Sequence, residues 1–308
     1  IRRIKTSLTA EQSDTDIPPA DDKSPSITVL VPSYREELNV IRKTLLSAAL
    51  QEYRNLRIVL LIDDPFNSAN PSERASLEAT RQLPQQLLDV LDAPAQECRD
   101  AMASYLDRRH QGPIEPLHES TLLADLNDRV ADWFENFADQ HDIADYSDRF
   151  FVESTYRKPA LRYRQRAEHW RTAPETEPTG PSGEDPFLDE YNRLENLFEA
   201  EISSFERKRY VNLSHVANKA TNLNCYIGLF GSHFRELTTP DGISIEQATA
   251  DEAQFYVPNS DMILILDADT LIAPDYAPKL ANFLQEPGNE RVAVVQCPYV
   301  SFPDPPNV

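Results

Sequence analysis

The sequence predicts an α/β fold, with a mostly parallel sheet flanked by helices and a large helical insertion. Residues 27–31 and 56–62 are short apolar runs typical of buried strands, and Leu38, Ile41 and Leu45 recur between them at helical spacing. A strand, a helix and a second strand in this order form a right-handed unit with parallel strands. A third apolar run, at 262–266, indicates that the same sheet resumes late in the chain.

These elements divide the chain into a linker, one sheet domain in two pieces and an insertion. We expect a polar linker at 1–25, the sheet domain at 26–65 and 210–308, and a helical layer outside the sheet at 66–209. Apolar residues at helical spacing in 83–91 and 122–134 predict helices in the insertion.

The remaining local signals concern loops and the end of the chain. A polar stretch rich in proline, glycine and glutamate predicts a loop at 172–186, poorly ordered near 179–183. Pro274 is expected to open a helix, and residues 292–295 are expected to form a further strand.

Composition narrows the classes of function. The net charge of -21 argues against nucleic-acid binding, which needs a basic face, and suits divalent cations or a salt-adapted proteome. No apolar run approaches the roughly 20 residues that cross a bilayer, and we expect no secretory signal. Three widely spaced cysteines, Cys98, Cys225 and Cys297, give no disulfide framework or zinc spacing, which favours a reducing compartment. With seven glycines and no glycine-rich phosphate loop, a nucleotide site must use carboxylates, a metal and a lysine.

The strongest chemical signal follows the third apolar run, where Asp267 and Asp269 are placed at a strand end. Mg²⁺ or Mn²⁺ carrying a diphosphate needs such hard oxygen ligands, and it offsets charge on a departing diphosphate. We expect Asp269 to bind the metal directly, and Asp267 to bind ribose or a metal-held water. A solvated acidic turn is the open alternative for a single D-x-D motif. Haloacid-dehalogenase phosphatases use D-x-D-x-T, but Thr270 comes one place too early for that motif.

Further short segments lie at predicted strand ends or loops. They are Pro32-Ser33-Tyr34-Arg35-Glu36, Ile62-Asp63-Asp64, Lys219-Ala220-Thr221-Asn222-Leu223-Asn224, and 269–275 with 292–298 and 302–305. Together with the D-x-D motif, and in this order, they resemble the family 2 glycosyltransferases, which have a GT-A fold, in their cellulose-synthase-like branch. The resemblance covers 26–64 and 210–305 and leaves out the insertion.

This resemblance implies a nucleotide-diphosphate-sugar donor, with uridine the expected base, Mg²⁺ or Mn²⁺ as cofactor, and a saccharide or lipid-linked acceptor. The donor-binding residues it implies are Pro32, Ser33, Tyr34, Glu36, Asp63, Asp64, Lys219, Asn222 and Asp267, with Asp269 and Asp267 on the metal. A tyrosine ring can stack on uracil, and carboxylates can accept from ribose hydroxyls or the imide N–H of the base. Lys219 would neutralise phosphate, while Asn222 and Asn224 would tie the segment to backbone.

The family also implies an acceptor-side carboxylate, often in T-E-D, as general base, and a Q-x-x-R-W motif. Neither occurs in these 308 residues. We therefore expect a fragment that carries the donor-binding half of an inverting transferase and binds donor without transferring sugar, because a general base must reach its hydroxyl. The longer protein is expected to be membrane-anchored, with this part in the cytoplasm.

Two alternatives to a transferase stay open. Pro65 and Thr221 stand where the family usually has glycine, which favours a degenerate binding module without catalysis. The second alternative is a scaffold whose insertion docks a partner, since the arginine-rich stretch 156–171 suits an anionic membrane or polymer. An exposed helix paired with acidic residues of the insertion explains the same composition.

Overall fold

The structure, a computed structural model, describes residues 24–172 and 185–297. The predicted linker, apart from its last two residues, the loop expected near 179–183 and the segment 302–305 lie outside the described residues. The strands are β1 Ile27–Ser33, β2 Leu56–Ile62, β3 Glu201–Phe205, β4 Ser232–Thr239, β5 Gly242–Gln247, β6 Phe255–Val257 and β7 Met262–Ile265. The helices are α1 Leu38–Ala49, α2 Pro71–Gln111, α3 Pro116–Gln140, α4 Tyr146–Phe151, α5 Lys158–Thr172, α6 Pro186–Asn196, α7 Lys219–Ile227 and α8 Tyr276–Gln285, with a π-helical stretch Val152–Arg157 joining α4 to α5.

A four-stranded parallel sheet in the order β3-β2-β1-β7 is the centre of the fold, which confirms the predicted parallel sheet flanked by helices. The chain adds β2 and β3 on one side of β1 and returns to add β7 on the other. In open α/β sheets, such a reversal leaves a crevice at the carboxyl ends of the two strands that flank it. This sheet therefore offers a ligand crevice between the ends of β1 and β7.

Strand β1 extends beyond β7 at that crevice. Their register runs from Ile27, paired with Met262, to Leu30, paired with Ile265. Pro32 has no N–H to donate and lies past the last position paired with β7, while the pairing of β1 with β2 continues through Pro32 and Ser33. The first strand can therefore continue to its polar end in spite of the proline.

Both faces of the central strands are buried, as in other parallel sheets covered by helices. On one face, Val29 and Leu60 pack with α1 and the helical layer. On the other face, Leu30 and Val59 pack with α7 and with a three-stranded antiparallel sheet in the order β5-β4-β6. Full burial of each such side chain stabilises the fold by about 1.5–3 kcal/mol, so the carboxyl edge is held firmly.

The described part of the insertion, 66–172 and 185–209, is mainly helical, as expected, but part of that prediction is wrong. Glu201–Phe205, assigned to the helical layer, forms β3 and pairs in parallel with β2. Only Ile202 and Phe205 of this run are buried, so the local apolar signal is weak, and hydrogen bonding to the edge of β2 decides the structure.

The prediction of a strand at 292–295 is also wrong, because residues 292–297 have no regular structure. Branched residues favour a strand only where a neighbouring strand supplies backbone partners. No strand in the described ranges pairs with this run. The preceding helix, α8, begins at Tyr276, two residues after the predicted Pro274.

The arginine-rich stretch 156–171 makes ion pairs within the insertion and, through Arg162, with Glu52 of the sheet domain. Arg164 contacts Asp128 at 2.9 Å and Glu135 at 2.8 Å, while Tyr163 and Trp170 are buried. The arginines of this stretch are thus paired with acidic side chains, as the alternative of a helix paired with acidic residues predicts. None of the helices in 24–172 and 185–297 is both long and apolar enough to cross a membrane.

Candidate functional site

An open cavity of about 410 Å³ lies at the carboxyl edge of the parallel sheet, between the ends of β1 and β7 and the start of α7. Its volume falls in the range of small-molecule sites. The lining residues are Pro32, Ser33, Tyr34, Glu36, Asp63, Ala217, Asn218, Lys219, Asn222, Asp267, Ala268 and Asp269. Every residue predicted to bind donor or metal, except Asp64, is among them.

The loop after β1 carries Tyr34, whose side chain is half exposed beside the cavity. Arg35 follows with a φ of 55°, and no other described non-glycine residue has a positive φ. This left-handed conformation costs roughly 1–2 kcal/mol, and such strain is concentrated at functional sites. The Asp64 carboxylate accepts a 3.2 Å hydrogen bond from the backbone N–H of Arg35. Asp64, which we expect to bind donor, is not among the residues that line the cavity, and its carboxylate supports this loop.

Burial raises the pKa of the Asp64 carboxyl, and the hydrogen bond from Arg35 opposes that rise. Its neighbour Asp63 lies inside the cavity and donates its backbone N–H to the Ser33 carbonyl at 2.8 Å. The two adjacent carboxylates thus have different tasks. One faces the ligand space, and the other shapes the loop that carries Tyr34.

Two basic residues that were not predicted from the sequence contact Asp63. The Arg207 guanidinium is fully buried and lies 2.6 Å from Asp63 Oδ1, and Lys208 Nζ lies 3.3 Å from the same oxygen. Lys208 also donates to the backbone carbonyl of Asp63, and its ammonium lies 5.4 Å from the ring centroid of Tyr34. The buried carboxylate is therefore neutralised, and a positive charge remains behind the tyrosine ring.

Arg207 also holds the opposite wall of the cavity. Its guanidinium donates to the carbonyl of Ser214 and, at 2.8 Å, to that of Val216. Those residues belong to the loop that leads into Ala217 and Asn218, both of which line the cavity. One buried side chain thus connects the end of β2 to the entrance of α7.

Helix α7 begins at the cavity. Asn218 caps it by accepting from the backbone N–H of Thr221 at 2.7 Å, so threonine fits this position in the first turn. Asn222 is buried and donates to the Leu61 carbonyl of β2 at 3.0 Å, as expected for a residue that ties the segment to backbone. Asn224, for which we expected the same role, is exposed. A helix N-terminus next to Lys219 favours anions.

On the β7 side, Lys219 Nζ makes an ion pair with Asp267 Oδ1. Asp269 is exposed two residues later. Within the described ranges, no group of three or more His, Cys, Asp or Glu side chains is placed to hold a metal ion. The described residues therefore contribute at most two carboxylates at this point, and a metal held by them alone would take most of its ligands from substrate and water.

Buried polar residues of α1 and of the turn that follows it hold the loop that carries these carboxylates. Thr44 Oγ1 donates to the Ala268 carbonyl at 2.6 Å, and Gln51 Nε2 donates to the Ala273 carbonyl at 2.8 Å. Gln51 Oε1 accepts from the backbone N–H of Ala277 at 2.9 Å. Polar residues at helical spacing on an otherwise apolar face are the sequence signal for this support.

Replacing Thr44 by valine should lower the free energy of unfolding by about 1–3 kcal/mol, because the buried Ala268 carbonyl loses its partner while the side-chain shape is kept. Urea unfolding monitored by circular dichroism measures this loss. Thr121→Val is the matched control, since its hydroxyl bonds only to an exposed carbonyl of its own helix. Equal losses in the two variants would contradict the proposed support of the loop.

Taken together, the cavity combines one half-exposed aromatic ring, several carboxylates, one lysine and a helix N-terminus. Such a set can stack on a base, accept from hydroxyl groups and neutralise phosphate. It lies at the strand-end crevice where the topology of the sheet reverses. No protein-family model matches the chain, and a search of curated proteins found no match.

Proposed function

We propose that this chain binds a nucleoside-diphosphate sugar, with a uridine diphosphate sugar the expected donor, as the donor-binding part of a GT-A-type, family 2 glycosyltransferase. One observation carries the proposal. Tyr34, Asp63, Lys219, Asp267 and Asp269, far apart in sequence, line one cavity at the strand-end crevice. Four of the motifs that resemble the family, at 32–36, 62–64, 219–224 and 267–269, contribute residues to the lining of this cavity.

Each residue has a task that suits a nucleotide. The exposed ring of Tyr34 offers a stacking surface for the base, and the positive charge of Lys208 lies on that ring. Asp63 is held in place and offers an acceptor to the base or the ribose. Lys219 and the N-terminus of α7 face the diphosphate.

The carboxylates of Asp267 and Asp269 would hold Mg²⁺ or Mn²⁺. Mg²⁺ is commonly held by one or two carboxylates, with substrate phosphates and water completing its shell, so this donor set fits a metal that arrives with a diphosphate. When bound, the metal would offset the negative charge that develops on the departing diphosphate. Thr44 keeps the loop between the two carboxylates in place through the Ala268 carbonyl.

The acceptor is proposed to be a saccharide or lipid-linked sugar, and transfer to be inverting. Inverting transfer requires a general base, and neither the T-E-D nor the Q-x-x-R-W motif of the family occurs in these 308 residues. We also propose that this part of the protein lies in the cytoplasm.

Calorimetric titration of uridine diphosphate with and without Mn²⁺ tests the proposal. Wild type should bind more tightly with Mn²⁺, and Asp269→Asn should lose that metal-dependent gain, because a neutral amide is a poor ligand for Mg²⁺ or Mn²⁺. Asp251→Asn, the same change at an exposed turn between β5 and β6, should keep it. Unchanged Mn²⁺ dependence in Asp269→Asn would defeat the metal assignment.

The same titrations test the role of Lys219. Lys219→Ala should weaken binding of uridine diphosphate more than binding of uridine, because the ammonium acts on phosphate charge. Equal losses for the two ligands would refute that role.

A second candidate is a nucleotide-binding module without metal-dependent chemistry. The pairing of Asp267 with Lys219, and the lack of a third acidic or histidine ligand among the described residues, favour it. It predicts diphosphate binding that Mn²⁺ does not strengthen, so the titration separates the two functions.

A further inference from the structure

Two ion pairs with very different exposure lie at the cavity. Arg207 and Asp63 are buried, with 0% and 8% of their side-chain surfaces exposed. Lys219 and Asp267 are each about half exposed, at 49% and 46%. A buried pair is costly to break, whereas an exposed pair contributes little to stability and exchanges readily.

The exposed pair joins the two sides of the diphosphate region. Lys219 is the first residue of α7, and Asp267 follows β7, so the contact spans the gap between the helix and the strand end. Each partner is also the group that the proposed function assigns to ligand: the ammonium to phosphate and the carboxylate to metal or ribose. While they hold each other, neither is fully available.

We propose that the ion pair with Asp267 keeps Lys219 from binding phosphate. Binding of a divalent cation to Asp267 exchanges this ion pair for a metal contact and releases Lys219. Asp267 would hold the cation, and the released Lys219 ammonium would then be free to donate to the diphosphate. Metal then strengthens diphosphate binding by two routes, through its own charge and by unmasking the lysine. This inference rests on the proposed function, and it makes metal and nucleotide binding cooperative in a way that depends on one ion pair.

Asp269 provides a matched comparison within the same loop. It has the same charge, lies two residues from Asp267 and lines the same cavity. It makes no ion pair with any residue of the described ranges. Neutralising either carboxylate removes one negative charge near the diphosphate, but only the change at Asp267 frees Lys219.

The experiment measures binding of uridine diphosphate to wild type and variants by calorimetry, at low ionic strength and in the presence of a metal chelator. Asp267→Asn should bind about two- to fivefold more tightly than wild type, the range expected for loss of one exposed competing ion pair. Asp269→Asn should gain less than about twofold, from general charge alone. With Mn²⁺ present, both variants should bind uridine diphosphate more weakly than wild type, the reverse of their order in chelator.

A double-variant cycle identifies the lysine as the cause. In a Lys219→Gln background, Asp267→Asn should gain no more than Asp269→Asn does. Both asparagine substitutions keep the side-chain shape at solvent-accessible positions, and thermal melts of each variant confirm that it is folded.

The outcomes separate the two proposals. Equal gains for Asp267→Asn and Asp269→Asn in chelator, or a gain that survives in Lys219→Gln, would overturn the exchange and leave nucleotide binding standing. Failure of every variant to bind uridine diphosphate, with or without Mn²⁺, would overturn both the exchange and the proposed function.

Discussion

Replacing Glu52 by glutamine is expected to lower the free energy of unfolding by about 3 kcal/mol, because it removes the carboxylate from a buried cluster of arginines. Glu52 precedes β2 and lies 2.9 Å from Arg193 and 3.4 Å from Arg162, and Tyr163 donates to it at 2.7 Å. These partners belong to α5 and α6, so the cluster fastens the helical layer to the sheet. Urea unfolding at pH 7 measures the loss.

Glu135→Gln is the control for this variant, because the Glu135 carboxylate also meets an arginine, Arg164, at 2.8 Å but is 47% exposed. Exposed pairs contribute about 0–1 kcal/mol, so the control should lose little. Equal losses at Glu52 and Glu135 would show that the buried cluster does not anchor the layer.

The effect of the Glu52 variant should depend on pH. Burial alone raises the pKa of the Glu52 carboxyl, but Arg193 and the other arginines outweigh burial and hold that pKa below its usual value. A carboxyl whose pKa is depressed by folding stabilises the protein above the unfolded pKa of about 4.3, and that contribution is lost as pH falls through the folded pKa. The stability gap between wild type and Glu52→Gln should therefore narrow in acid. A gap that stays constant down to acidic pH would contradict this assignment.

The strand ends of the parallel sheet were predictable from sequence for a physical reason. Each apolar run of β1, β2 and β7 is followed directly by polar residues, and the carboxyl ends of parallel strands share one edge. Tyr34, Asp63 and Asp267 could therefore be placed together without knowledge of any contact. The prediction needed only the direction of the strands.

The antiparallel sheet was missed although its sequence contains a turn signal. Pro240-Asp241-Gly242 joins β4 to β5, and Gly242 has a φ of 133°, a region that side chains disfavour. The burial of β4 and β5 is irregular, so neither strand shows clean alternation of apolar and polar residues. The sequence therefore indicates the turn but not the two strands that it joins.

The supporting contacts of the cavity could not be predicted from local patterns. Lys208 and Asp63 are 145 positions apart, and the helical layer separates them in sequence. The separate tasks of Asp63 and Asp64 likewise depend on which carboxylate the fold buries against Arg207. Such pairings follow from tertiary packing, which propensity and spacing do not describe.

Replacing Arg207 by methionine should lower the free energy of unfolding by about 3–5 kcal/mol, since Asp63 keeps only Lys208 as a cationic partner and remains buried. The carbonyls of Ser214 and Val216 lose their donor in the same variant. Both walls of the cavity are then released, so uridine diphosphate should bind about tenfold more weakly, a change of roughly 1.4 kcal/mol. Urea unfolding and calorimetry at low temperature, where the variant is still folded, measure the two effects.

Two further variants separate positioning from simple destabilisation. Arg209→Met alters the next basic residue, whose half-exposed guanidinium contacts Glu236 at 2.7 Å, and it should change both measurements little. Arg207→Lys keeps a charge for Asp63, but a lysine lacks the planar fork that reaches the loop carbonyls as well. It should therefore recover stability more fully than nucleotide affinity. If affinity and stability recovered in the same proportion, Arg207 would stabilise the fold without positioning the cavity walls.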